Sequence, residues 1–110
     1  KNRDLAKAEQ YLRLAIDIKP DFMRSYSDLG IVLSMQGKHN EAISIMKKAV
    51  GMGEGPAEVR AILQANIGYI YSKMEVWDKA IHHYRIALKI DPSQKTIQNK
   101  LKKALAMVSR

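Results

Sequence analysis

The chain has 110 residues, 46% of them hydrophobic and 27% charged, with a formal net charge of +8 and no cysteine. That length and balance fit one compact soluble domain or one short repeat array. They exclude disulfides and thiolate chemistry, and with only three prolines they argue against a long disordered segment.

No run of about 18 uncharged apolar residues occurs, so no membrane-spanning helix is expected. A soluble protein is expected, with the cytoplasm the favoured setting. The opening Lys1-Asn2-Arg3-Asp4 lacks both an initiator Met and a following apolar signal core, which reads as a fragment or a processed product. The positive charge is uneven. Residues 93–110 hold Lys95, Lys100, Lys102, Lys103 and Arg110 with no acid, whereas residues 54–92 are balanced.

Apolar periodicity and breakers predict six helices, near 4–19, 21–36, 39–52, 56–74, 77–90 and 93–109. Pro20 and Pro92 stop the helices before them. Gly37 suits a left-handed turn, whereas Glu75 at the matching place is expected to be strained. Pro56 suits a first helical turn, and Ser93 is expected to cap the last helix. Gly51-Met52-Gly53-Glu54-Gly55 is not read as a phosphate loop, because no Gly-Lys-Ser/Thr follows and no strand precedes. A helix stop and a four-residue insertion account for it.

The chain repeats itself. Ala8-x3-Leu12-x2-Ala15 recurs as Ala42-x3-Met46-x2-Ala49 and as Ala80-x3-Tyr84-x2-Ala87. Tyr26-x2-Leu29-Gly30-x2-Leu33 recurs as Gln64-x2-Ile67-Gly68-x2-Tyr71. Small residues opposite large ones at a fixed spacing let helix pairs nest. These motifs resemble the tetratricopeptide repeat, with Tyr26 and Gln64 in place of its Trp and Glu54 in place of the middle closing Pro.

The resemblance implies an all-α fold, an α-α superhelix (solenoid) of antiparallel helix pairs ending in a C-terminal capping helix. Residues 4–20 would be the second helix of a truncated repeat, 21–54 and 61–92 full repeats, 55–60 an insertion and 93–110 the cap. More repeats are expected upstream of Lys1. Leu5, Leu12 and Ile16 would then lack part of their cover, so self-association through that end is possible.

The resemblance also implies a peptide-binding groove along the first helix of each pair. Its lining would be Arg24, Ser27, Ile31 and Ser34, then Ile62, Ala65, Asn66, Tyr69 and Lys73, then Thr96, Asn99, Lys100 and Lys103, with Asp28 at an edge. The expected partner is a protein segment with acidic and apolar side chains. The clamp by which some family members grip chaperone tails would fall at Ser27, Ile31, Asn66, Thr96 and Lys100. Only Asn66 and Lys100 match its residue types, so that clamp is rejected.

An enzyme is not expected, nor a cofactor or metal. His82 and His83 are adjacent and point about 100 degrees apart on a helix, and His39 and Trp77 occupy one repeat position and read as packing residues. A catalytic domain elsewhere in a longer chain stays compatible with this, the present one then serving as its assembly domain. Nucleic-acid binding through the basic surface is the other alternative. Against it, the central repeats are neutral, and Tyr11, Tyr71, Tyr84 and Trp77 read as repeat-core residues.

Overall fold

A stripe of apolar side chains every third or fourth residue makes helices that each need a neighbour to cover one face. The computed structural model describes residues 2–53 and 55–109, and among these are six helices and no strand. They are α1 Asn2–Ile18, α2 Met23–Met35, α3 His39–Val50, α4 Ala57–Lys73, α5 Trp77–Ile90 and α6 Lys95–Val108. None of the described helices is long and apolar enough to cross a membrane. Glu54, the residue at the repeat's closing-Pro position, lies outside the described residues.

The helices form two compact units, Lys1–Gly53 and Glu54–Arg110. In unit 1, α1 packs on α2 and α2 on α3; in unit 2, α4 packs on α5, α5 on α6, and α6 also reaches α4. Connections of three or four residues within each unit force consecutive helices to double back.

The α2–α3 and α4–α5 turns share one geometry. Lys38 N–H donates to the Leu33 carbonyl and Gly37 N–H to Ser34; Val76 N–H donates to Tyr71 and Glu75 N–H to Ser72. This pattern satisfies the last carbonyls of a helix and requires a left-handed residue just past its end. Gly37 adopts it at φ +85°, and Glu75 at φ +61°. The expected strain at Glu75 is therefore present, because its Cβ crowds the carbonyl there.

The small residues are where the nesting needs them. Ala42, Ala49, Ala80 and Ala87 are fully buried. A Cβ on Gly68 would lie 3.0 Å from the Ala80 carbonyl oxygen and 2.9 Å from the Tyr84 ring. One on Gly30 would collide with the Met46 side chain. Met46 and Tyr84 fill the equivalent gaps and are buried, each contributing roughly 1.5–3 kcal/mol of apolar burial.

Both departures from the repeat's Trp are tied down by polar groups. The Tyr26 hydroxyl donates to the Pro20 carbonyl at 2.6 Å, fastening the α1–α2 turn. Gln64 Oε1 lies 2.9 Å from His83 Nδ1, and the His83 ring stacks on Tyr71 at 5.6 Å.

The helix expected from about residue 56 begins at Ala57, and α4 has 17 residues against 13 for α2. The four extra residues add a turn to the front of α4, with Pro56 preceding it at φ −60°. Ser93 does not cap α6. Its hydroxyl donates to Asp91 Oδ1 at 2.7 Å, and Gln94 occupies the cap position. Tyr11 is exposed rather than part of the core. Leu5, Leu12 and Ile16 are half-buried, as expected of a helix covered on one side.

Candidate functional site

The site begins with spacing on α4. Ile62, Asn66, Tyr69 and Lys73 follow steps of four, three and four, so they share one helix face. Ile62, Asn66 and Tyr69 are half-buried and Lys73 is exposed. On the other side of that helix Leu63, Ile67 and Ile70 are buried, which holds the face outward.

Thr96, Lys100 and Lys103 form a matching row on α6. The helix is anchored by Ile97 and Ala104, both buried, with Leu101 and Leu105 half-buried beside them. Thr96 and Lys103 are exposed, and Lys100 is half-buried.

The two rows meet at Tyr69. Lys100 Nζ lies 4.7 Å from the centroid of its ring and Lys73 Nζ 5.6 Å. Both ammonium groups are drawn to the negative face of the ring, an attraction worth about 0.5–1 kcal/mol at exposed sites. The Ser72 hydroxyl donates to the Tyr69 carbonyl at 2.6 Å, tying the last turn of α4. Neither Lys73 nor Lys100 has a carboxylate partner among the described residues. Two like charges thus lie close to one aromatic ring.

Of the other expected groove positions, Arg24, Ser27, Ile31 and Ser34 lie on α2 in unit 1. Arg24 is exposed and Ile31 half-buried, whereas Ser27 is only 5% exposed. Ser34 is buried, with its hydroxyl 2.9 Å from His39 Nδ1. Burial raises the Asp28 carboxyl above its ordinary pKa, and Arg24 one turn away partly offsets that. Ala65 on α4 is likewise buried.

Two features escaped the sequence. Unit 1 has an open pocket of about 250 Å³, floored by Ile16, Leu29 and Ile45 and edged by Arg13, Asp17 and Lys48. It is not visible as a motif because its walls come from three helices. Unit 1 also carries a small charge network. Arg13 binds Glu9 at 2.8 Å and Glu41 at 2.9 Å, and Gln36 donates to Glu9 at 3.1 Å. Hydrogen bonds from Arg13 and then Gln36 hold the Glu9 carboxyl below its ordinary pKa. Glu9 and Arg13 are four apart on α1, a spacing that could have been read as a helical ion pair.

No group of three or more His, Asp or Glu among the described residues is placed to hold a metal ion. His39 and His83 are half-buried and His82 is exposed. His39 meets Ser34, His83 meets Gln64 and Tyr71, and His82 contacts His83 edge-on at 5.2 Å.

No curated protein sequence matches the chain. Family models described as tetratricopeptide repeat match residues 1–22, 22–54 and 63–96. The second and third of these matches coincide with nested hairpins built on Gly30 and Met46 and on Gly68 and Tyr84. With three matches in succession over most of its length, this chain belongs to the tetratricopeptide repeat family, whose members are in general protein–protein interaction modules.

Proposed function

We propose that this chain holds an acidic and apolar segment of a partner protein on the α4–α6 face of unit 2, and that it does so without catalysis. The observation that carries the reading is the convergence of Lys73 and Lys100 on the Tyr69 ring with no carboxylate partner among the described residues. An incoming carboxylate relieves the repulsion between the two ammonium groups and forms charge-assisted hydrogen bonds. Ile62 and the Tyr69 ring supply the apolar contact beside it. Thr96 and Lys103 extend the row along α6, and Asn66 lies one turn before Tyr69 on α4.

The test is fluorescence anisotropy with a labelled helical peptide carrying alternating pairs of Glu and Leu. The charge reversals Lys73→Glu and Lys100→Glu together are expected to weaken binding by about a hundredfold, on the scale of about 1.5 kcal/mol or more for a close charge pair. Added salt should weaken the unaltered protein in the same direction. Unchanged affinity in the double variant would mean that this face is not the site. Binding of RNA or DNA that exceeds peptide binding and falls steeply with salt would favour the nucleic-acid alternative instead.

A further inference from the structure

In unit 1, α1 and α3 each pack on α2, but among the described residues their backbones do not approach each other. Arg13 on α1 reaches across to Glu41 on α3 at 2.9 Å. Beside that link the gap between the helices stays open as the pocket of about 250 Å³. Arg13 and Ile16 lie on the opposite side of α1 from the exposed Tyr11, Leu14 and Ile18, with Asp17 between the two faces. The opening is therefore a property of how α1, α2 and α3 meet.

We propose that this pocket takes one tryptophan side chain of a partner protein. It is smaller than the roughly 300–1,000 Å³ of sites that enclose a whole small molecule, so it suits a single large side chain. Its floor of Ile16, Leu29 and Ile45 is apolar. Tyr26 adds ring surface only, because its hydroxyl already donates to the Pro20 carbonyl at 2.6 Å.

The rim selects among apolar occupants. Arg13 is committed to Glu9 and Glu41, so its charge is answered within the chain and its guanidinium is held as a plane on which an aromatic ring stacks. Lys48 and Asp17, both exposed, have no ion-pair partner among the described residues. One cation and one anion at the mouth give an acidic segment of the kind proposed for the α4–α6 face little to gain here. An indole answers both. Its face is the best side-chain surface for an ammonium, and its N–H donates to a carboxylate. Phenylalanine lacks the donor, and leucine lacks donor and ring alike. Tryptophan seated in a small pocket is also the commonest kind of anchor at protein interfaces.

The test titrates three capped tripeptides, Gly-Trp-Gly, Gly-Phe-Gly and Gly-Leu-Gly, into the isotope-labelled 110-residue chain. The methyl resonances of Ile16, Leu29 and Ile45 report the pocket. The Trp peptide is expected to shift all three and to bind at least about tenfold more tightly than the Leu peptide, with the Phe peptide between them. Lys48→Ala and Asp17→Ala should each weaken the Trp peptide by about threefold and leave the Leu peptide unchanged. Because both side chains are exposed, the fold should survive, as circular dichroism would show. Equal affinity for the Trp and Leu peptides overturns the proposal. Saturation by the Trp peptide without those methyl shifts, or with shifts at Tyr69 in their place, overturns it too.

Discussion

The two units build the same notched hairpin and fasten it differently. In unit 1, α2 and α3 close Gly30 over Met46, a flexible side chain, and an exposed network around Glu9 and Arg13 ties α1 to α3 and to Gln36. In unit 2, α4 and α5 close Gly68 over the Tyr84 ring and the Ala80 backbone, neither of which can yield easily. It also gathers groups on rings: Lys73 and Lys100 over Tyr69, Lys79 over Tyr71, and His83 stacked on Tyr71. Unit 1 pairs Glu9 and Glu41 with its own cations, and unit 2 sets three lysines over aromatic rings. The repeat sets the backbone, and the side chains that fill it differ between the units.

The largest expected effect separates the two notches. Gly68→Ala is expected to destabilise unit 2 by about 2–3 kcal/mol, since overpacking against backbone forces helices apart. Gly30→Ala should change stability by less than about 1 kcal/mol, because Met46 can take another rotamer and alanine recovers helix propensity. Chemical denaturation of the two variants measures both, and equal losses would break the contrast. A smaller effect is expected at the paired turns. Gly37→Ala should lose about 1 kcal/mol and Glu75→Gly should gain about 0.5–1 kcal/mol, because only the second relieves a side chain held at positive φ. Thermal unfolding would show midpoints moving in opposite directions.

Most of the fold was legible because its determinants are local and repeated. Alanines 34 and 38 residues apart, glycines at matched positions and breakers such as Pro20 set the helices and their pairing before any coordinates. The Glu75 strain was legible for the same reason, since Gly37 occupies the equivalent turn. What depended on a specific neighbour was not. Ser93 has the chemistry of a cap, but Asp91 competes for its hydroxyl. Tyr11 has the composition of a core residue, and only its neighbours reveal the exposure. At the candidate site the residues of α4 and α6 were legible from repeat register. The gathering of Lys73 and Lys100 on the Tyr69 ring was not, because it depends on how α6 meets α4.

The most direct test maps where an acidic ligand lands. Titrating isotope-labelled chain with the Glu- and Leu-bearing peptide and following amide and side-chain resonances should move Tyr69, Lys73 and Lys100 first, with unit 1 little affected. Shifts centred instead on Arg13, Ile16 and Lys48 in the unit 1 pocket, or none at saturating peptide, would contradict the assignment of partner binding to unit 2.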